Sequence, residues 1–213
     1  MSGSAVASYE SRLSSDLRWA LSESSLFFEG SGAVQESLRR VVSRLDELGI
    51  PYAVAGGMAL FAHGYRRFTE DVDILIRPED LQRIQSEMKG LGYVSPFESS
   101  RNLRDVHSQV RIEFLLAGAF PGDGKPKPVA FPDPATSAVE LAGVRFLGLK
   151  ELVELKLASG MMAAHRLRDL ADVMELIRLL GLGPEFAADL SPYVRGKFDE
   201  LRKAVQGAES MDD

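Results

Sequence analysis

Apolar and polar residues follow one another along the chain in patterns that predict helices and short strands. Between residues 33 and 48 apolar side chains recur every three or four positions and a glycine follows, which predicts a helix. Residues 52–55 form a short apolar run typical of a buried strand. Gly56 and Gly57 then turn the chain into a brief predicted helix over 58–62, so this unit is predicted as helix, strand, glycine turn and helix.

Two later segments alternate between apolar and polar positions, which predicts strands with one apolar face. In residues 71–76 the other face carries Asp71 and Asp73. In residues 110–115 it carries Glu113. Both strands are therefore predicted to present carboxylates on the face that does not enter the core.

The remaining segments complete the predicted layout. The first thirty or so residues are rich in Ser, Gly and Ala, and we predict a peripheral arm with one weakly amphipathic docking helix. Five of the ten prolines fall between residues 118 and 135, which predicts a long loop. A hairpin is predicted at 139–146, and further helices are predicted from about 78 to 90 and over 149–159, 167–180 and 193–205.

Composition narrows the classes of protein. The chain has 213 residues, of which 45% are apolar, and a net charge of −6 from 25 basic and 31 acidic residues. This balance excludes collagen-like, coiled-coil and disordered chains and argues against a general nucleic-acid coat protein. Cysteine is absent, no apolar run is long enough to span a bilayer, and charges interrupt the N-terminus, so we expect a cytoplasmic protein that does not contact membranes.

The acidic strand offers a candidate metal site. Asp71 and Asp73 lie two residues apart, which places their carboxylates about 7 Å apart along one strand face, close enough to share one or two cations. Such oxygen ligands suit Mg²⁺ or Mn²⁺. Phosphate groups of the substrate complete the coordination of these ions. A solvated strand face is the alternative. The glycine turn upstream favours the site, because its bare backbone N–H groups are suited to the triphosphate of an NTP.

Two runs of the chain resemble the signature of nucleotidyltransferases in the DNA polymerase beta superfamily. They are Gly56-Gly57-Met58-Ala59-Leu60 and Arg67-Phe68-Thr69-Glu70-Asp71-Val72-Asp73. The chain looks most like the AbiEii-type branch, whose members are known chiefly as toxins of bacterial toxin–antitoxin and phage-defence pairs. Lys156 and residues 166–172 resemble the downstream part of the signature of this branch. The resemblance implies an α/β (α+β) fold, with a minimal mixed sheet flanked by helices. Together with the predicted elements it divides the chain into an N-terminal arm (1–32), a nucleotidyltransferase core (33–147) and a C-terminal helical segment (148–213). It also implies transfer of a nucleoside monophosphate from a metal-bound NTP to a hydroxyl group.

The resemblance assigns roles to the glycine turn and the acidic strand. It implies that the backbone of Gly56 and Gly57 contacts the phosphates of the nucleotide. It implies that Asp71 and Asp73 hold the metal, since positioning and charge neutralisation account for most of the acceleration in such reactions. Thr69 is expected either to cap the strand entrance or to bind phosphate.

Two further residues have open roles at this point. Arg67 either braces its loop by pairing with Glu70 or another acid, or contacts the nucleotide. Glu113 is the candidate third carboxylate, as a metal ligand or as the base for the attacking hydroxyl, although the family more often carries Asp there. Its alternative is a surface ion pair with Arg111 or Lys150.

Lys156 and Asp169 can meet only if the C-terminal helical region is interrupted. On one continuous helix they would lie about 220° apart around the axis. A serine–glycine pair at 159–160 offers a break, so we predict two helices joined by a turn within 160–165 that brings both side chains to the cleft. Lys156 would then meet the NTP phosphates and Asp169 would orient Lys156 or a substrate hydroxyl. The alternative is an exposed Lys156 and an Asp169 that only favours a helix N-terminus.

The acceptor of the reaction has several alternatives. The toxin-like branch implies a tRNA 3′ end or a protein hydroxyl, with a cognate antitoxin as a partner. Aminoglycoside-modifying enzymes share the glycine-turn and D-x-D pattern, but they more often have His where Thr69 stands. A non-catalytic binding module is the third alternative, and the presence of both strand carboxylates together with Lys156 and Asp169 argues against it.

Overall fold

Seven segments form one mixed sheet in the computed structural model, which describes residues 7–98, 100–162 and 164–212. In chain order the strands are β1 (Tyr52–Val54), β2 (Asp71–Ile76), β3 (Tyr93–Val94), β4 (Leu103–Asp105), β5 (Arg111–Leu116), β6 (Ala138–Leu141) and β7 (Val144–Leu147). Their order in the sheet is β3-β4-β5-β2-β1-β7-β6. β2 pairs in parallel with β5, and β1 pairs in parallel with β7, whereas the other pairs are antiparallel. The expected mixed α/β fold is therefore confirmed.

The helices lie before, between and after these strands. In chain order they are α1 (Tyr9–Ser15), α2 (Leu17–Glu29), α3 (Ala33–Glu47), α4 (Gly56–Ala62), α5 (Asp80–Met88), α6 (Pro134–Ser137), α7 (Leu149–Gly160), α8 (Leu167–Leu180), α9 (Pro184–Asp189) and α10 (Pro192–Asp212). A 3-10 turn at Ala164–Arg166 separates α7 from α8, which confirms the predicted break, and α10 packs against both helices. Within the described part of the chain, no helix combines the length and apolar character needed to cross a membrane.

The central strands contribute fully buried side chains to the hydrophobic core. Val72 and Leu75 of β2 and Phe114 of β5 are fully buried, and α3 and α4 pack against β2. The sequence pattern places Leu75 on the polar face of its strand, but both faces of β2 are covered beyond its third residue. The first half of β2, with Asp71 and Asp73, is the part that remains partly exposed to solvent.

Residues 7–32 form two helices that pack onto the core, where the sequence predicts one docking helix in a peripheral arm. Tyr9 of α1 and Phe27 of α2 are each only 1% exposed. The Tyr9 hydroxyl donates a hydrogen bond to Glu23, whose carboxylate also accepts the backbone N–H of Ala33 at the start of α3. Because each helix buries only one or two side chains, its periodic signal in the sequence is weak.

The sequence patterns do not predict β3, β4, α6 or α9. These elements have between two and six residues, which is too short for a period to stand out. The helix predicted over 58–62 begins two residues earlier, so Gly56 and Gly57 form the first turn of α4 and do not precede it. The hairpin of β6 and β7 and the long proline-rich loop before it are where the sequence predicts them.

Candidate active site

Carboxylates from two neighbouring strands meet at one place on the sheet. β2 and β5 run parallel, with Asp71 opposite Arg111 and Asp73 opposite Glu113. Because side chains two residues apart on a strand point to the same face, all four lie on one face of the sheet. One carboxylate oxygen from each of Asp71, Asp73 and Glu113 lies within 4.8 Å of the others. The structure thus brings together three carboxylates that the sequence analysis selects, and we call them the acidic triad.

Both oxygens of Asp71 have a hydrogen-bond donor. Arg111 Nη2 donates to Asp71 Oδ2 over 2.7 Å and lies 3.6 Å from Glu113 Oε2. The Thr69 hydroxyl donates to Asp71 Oδ1 over 3.0 Å, and Thr69 is only 7% exposed. Arg111 thus makes the ion pair with Glu113 that the sequence offers as an alternative, and it also pairs with Asp71.

The glycines of α4 allow the chain to approach β2 closely. Gly56 has a φ of +56°, in the left-handed region that favours glycine, and a Cβ at this position would overlap the Asp73 carboxylate. A Cβ on Gly57 would lie 2.6 Å from the Thr69 side chain. Both glycines therefore have a packing role, beside the acidic triad, that sequence reasoning did not identify.

The charges of the site change the acidity of Asp73. Burial raises the pKa of the Asp73 carboxyl, and the neighbouring charges of Asp71 and Glu113 raise it further, to about 7. The positive charges of Lys156 and Arg111 act in the opposite direction. Lys156, on a helix distant in sequence, is therefore close enough to act on the charge of the triad.

Lys156 of α7 is bound by two carboxylates of α8. Its Nζ donates to Asp169 Oδ1 over 3.0 Å and to Asp172 Oδ2 over 2.7 Å, and the Ser159 hydroxyl donates to Asp169 Oδ2 over 2.7 Å. Burial alone would raise the pKa of Asp169, but the charge of Lys156 and these hydrogen bonds lower it below its usual value. The predicted meeting of Lys156 and Asp169 is confirmed, and the alternative of an exposed Lys156 is wrong because the residue is only 7% exposed.

Asp172 also binds Arg67, which precedes β2. Arg67 Nε lies 2.9 Å from Asp172 Oδ1, and its Nη2 donates to Asp172 Oδ2 over 3.1 Å. This ion pair has the form of the expected brace, with Asp172 as the acid, and contact of Arg67 with a nucleotide stays a prediction. Asp172 is 2% exposed and lies three residues after Asp169, a spacing that places both on the same side of α8 and that could have identified it as a site residue.

These residues together have the composition of a site for a divalent cation and phosphate groups. The acidic triad supplies hard oxygen donors on a partly exposed face, with Arg111 as the cation in contact with it. Mg²⁺ prefers a few carboxylates together with waters and substrate phosphates, so the donor set fits such an ion. The ammonium of Lys156 adds a positive charge suited to phosphate oxygens.

Comparison with known proteins gives one family and several similar folds. The sequence model of the family described as "Uncharacterised nucleotidyltransferase" matches residues 5–190. No curated protein sequence matches the chain. The fold is similar to that of ANT(2")-Ia in complex with adenylyl-2"-tobramycin, with a TM-score of 0.50 and 14% identity, covering 82% of this chain and 97% of that one.

Two further solved structures have lower TM-scores. JHP933 from Helicobacter pylori has a TM-score of 0.45 and 16% identity, covering 81% of this chain and 89% of that one. Lincomycin-bound LnuA, a lincosamide antibiotic adenylyltransferase, has a TM-score of 0.44 and 12% identity, covering 65% of this chain and 94% of that one. At these identities the likeness concerns the fold.

Proposed function

Because the chain belongs to the family described as uncharacterised nucleotidyltransferases, we propose that it transfers a nucleoside monophosphate from an NTP to a hydroxyl group in a metal-dependent reaction. The acceptor oxygen forms a bond to the α-phosphorus, the bond between that phosphorus and the β-phosphate oxygen breaks, and pyrophosphate leaves. The observation that carries the proposal is the meeting of three carboxylates within 4.8 Å on one face of the sheet.

The strand carboxylates hold the metal and move the proton. Asp71 and Asp73 bind Mg²⁺ or Mn²⁺, which when bound neutralises phosphate charge and favours ionisation of the attacking hydroxyl. Glu113 completes the acidic triad and accepts the proton that the hydroxyl loses. Thr69 orients Asp71 through the hydrogen bond to its Oδ1, so its proposed role is positioning rather than phosphate binding.

Phosphate binding is assigned to groups around the acidic triad. The backbone of Gly56 and Gly57 approaches the phosphates at the start of α4. Lys156 has three N–H donors, of which two bind Asp169 and Asp172, so one donor remains for a phosphate oxygen. In this assignment the helices after residue 148 close the nucleotide cleft, and Arg67 acts through its brace to Asp172.

Exposed arginines beside the site support a phosphate-bearing acceptor. Arg166 and Arg168 are exposed and precede Asp169 at the start of α8, and Arg166 Nη1 lies 3.9 Å from Asp169 Oδ2. Their positive charge suits the backbone of a tRNA 3′ end and repels polycationic aminoglycosides. We therefore propose the tRNA 3′ hydroxyl as the acceptor, with a protein hydroxyl and an aminoglycoside as the competing acceptors. By its resemblance to the AbiEii-type branch, the chain would then act as the toxin of a toxin–antitoxin pair.

A labelling experiment tests both the reaction and the acceptor. The protein is incubated with each α-³²P-labelled NTP and Mg²⁺, in the presence of total tRNA, a protein extract or an aminoglycoside. Label should pass to tRNA with the wild type and not with Asp71→Asn. Label on protein or drug would reassign the acceptor. Absence of labelled product with every NTP and acceptor would favour the non-catalytic binding module.

Expression in bacteria tests the toxin proposal separately. The wild-type protein should arrest growth and the Asp71→Asn variant should not, because only transfer would cause the toxicity. Co-expression of a cognate antitoxin should restore growth. If cells that express the wild type grow normally although the purified enzyme labels tRNA in vitro, the toxin role is contradicted and the proposed transfer reaction is still supported.

A further inference from the structure

Arg111 places a positive charge on two members of the acidic triad. Its Nη2 is 2.7 Å from Asp71 Oδ2 and 3.6 Å from Glu113 Oε2, so one nitrogen contacts both carboxylates. A divalent cation held by Asp71 would need the place beside Asp71 Oδ2 that the guanidinium now takes, because Mg²⁺–oxygen distances of about 2.0–2.1 Å are shorter than the 2.7 Å of this contact. The guanidinium and such a cation therefore compete for one position.

The other oxygen of Asp71 is held by a buried hydroxyl group. Asp71 Oδ1 accepts the hydrogen bond from the Thr69 hydroxyl, and Thr69 is buried against Gly57. Of the two donors to Asp71, Arg111 has the side chain that can move, since it is long and 39% exposed. The guanidinium stays charged at any ordinary pH, so the competition cannot be relieved by loss of its proton.

We propose that Arg111 is a built-in counter-ion of the metal-free site, and that a divalent cation binds the acidic triad by displacing its guanidinium from Asp71 and Glu113. This inference rests on the proposed metal site. It means that part of the binding free energy of the metal is used to break the Arg111 contacts. The protein without nucleotide consequently binds a divalent cation more weakly than the same three carboxylates would without Arg111.

Binding of Mn²⁺ alone, followed by the electron paramagnetic resonance signal of free Mn²⁺, measures the competition. Arg111→Gln should bind Mn²⁺ roughly tenfold more tightly than the wild type. This factor lies near the lower end of the usual range for two coupled binding events, because the ion pair of Arg111 with Asp71 is partly exposed. Arg77→Gln is the matched control. Arg77 follows β2, pairs with Asp133, and is 37% exposed, so its removal should leave Mn²⁺ affinity unchanged.

A third variant separates failure of this inference from failure of the metal site. Asp73→Asn should weaken Mn²⁺ binding strongly. Suppose that Asp73→Asn weakens binding as expected. If Arg111→Gln then binds Mn²⁺ no more tightly than the wild type or than Arg77→Gln, the proposed displacement is wrong, but the proposed metal site is still supported. If Asp73→Asn leaves Mn²⁺ binding unchanged, the metal site itself is wrong and the displacement with it.

A measurement on the wild type keeps the inference testable if Arg111→Gln does not fold. In a crystal structure of the Mn²⁺-loaded protein, Arg111 Nη2 should have left Asp71 Oδ2. A bound Mn²⁺ ion on the triad with the 2.7 Å contact still in place would overturn the displacement.

Discussion

At the scale of single residues, the site depends on how each carboxylate is held and charged. Asp71 has a donor on each oxygen, whereas Asp73 lies against the backbone of Gly56 with a pKa raised to about 7. The Asp73 carboxyl therefore ionises less readily than an ordinary aspartate carboxyl. This difference leads to one prediction about stability and one about activity.

Removal of the Asp73 charge should stabilise the metal-free protein at high pH. The folded-state pKa of about 7 lies above the ordinary value of 3.8, so the folded protein binds this proton more tightly than the unfolded chain. Wild-type stability is consequently lost as the pH rises from 3.8 to about 7. Asp73→Asn has no such loss and should exceed the wild-type free energy of unfolding by about 1–2 kcal/mol at pH 8.

Urea unfolding in the presence of EDTA at a series of pH values provides the measurement. The curves of free energy of unfolding against pH should converge only as the pH falls below the ordinary pKa of 3.8, where the wild-type carboxyl is protonated in both states. A variant less stable than the wild type at pH 8 would contradict the raised pKa.

Loss of the Thr69 hydroxyl should slow the reaction without unfolding the protein. Thr69→Val keeps the shape of the buried side chain but removes the hydrogen bond to Asp71 Oδ1. We expect a roughly 10- to 100-fold loss of kcat, the scale typical of a group that orients a metal ligand. Thr69→Ser keeps a hydroxyl and should retain most of the activity. Equal rates for Thr69→Val and the wild type, with normal circular dichroism, would exclude the positioning role.

At the scale of elements, the start of α4 and the chain before β2 are packed too tightly for a side chain on the glycines. Sequence reasoning connects Gly57 with phosphate, since a side chain there would block close approach of the backbone. In the fold, the nearest obstacle to a Cβ is Thr69, at 2.6 Å. A substitution at Gly57 therefore displaces the residue that orients Asp71, whether or not a nucleotide is bound.

Gly57→Ala should lower both the stability and the activity of the protein, although it adds only one methyl group. The added methyl group pushes Thr69 away and costs the helix–strand contact roughly 1–3 kcal/mol, as for overpacking in other cores. Gly196→Ala is the matched control, because Gly196 is an exposed residue of α10 with open space at its Cβ. This control should keep full activity and gain about 0.5–1 kcal/mol of stability from helix propensity. Denaturant unfolding and transfer rates measure both, and full activity in Gly57→Ala would refute the packing role.

At the scale of the whole molecule, a buried ionic network joins the sheet to the C-terminal helices. Arg67 from the chain before β2 and Lys156 from α7 both bind Asp172 of α8. Asp172 is almost completely buried, and both of its cationic partners compensate for its removal from water. The network holds Lys156 in the part of the molecule where its charge reaches Asp73.

Lys156 and Asp172 should behave as one unit in catalysis. Lys156→Ala should reduce the transfer rate on the order of 10²-fold, because it removes a placed positive charge near the phosphates. Lys156→Arg should restore little, since a planar guanidinium does not occupy the place of an ammonium. Asp172→Asn should show a comparable loss, and the double variant should be little worse than either single one.

The exposed Lys150 on the same helix supplies the control for this prediction. Lys150→Ala removes the same charge from α7 and should leave the rate near that of the wild type. Additive losses in the Lys156 and Asp172 double variant would instead indicate independent roles. Wild-type rates in both single variants would restrict the chemistry to the strand carboxylates.

The sequence by itself determined the elements whose pattern is local. The periodicity and the breaks within short segments predict helix α3, strands β2 and β5, the hairpin, and the interruption between α7 and α8. The same local reading places Asp71 and Asp73 on one strand face and shows that Lys156 and Asp169 require a break to meet. These inferences hold because side-chain direction in a helix or strand is set by backbone geometry over neighbouring residues.

Only the tertiary structure decided which distant residues share the site. Arg111 pairs with Asp71 across 40 positions of chain, and Arg67 pairs with Asp172 across 105. The parallel register of β2 and β5 brings Glu113 beside Asp73, and no local pattern specifies that register. Such contacts depend on how complete elements pack against each other, so the periodicity of one segment carries no information about them.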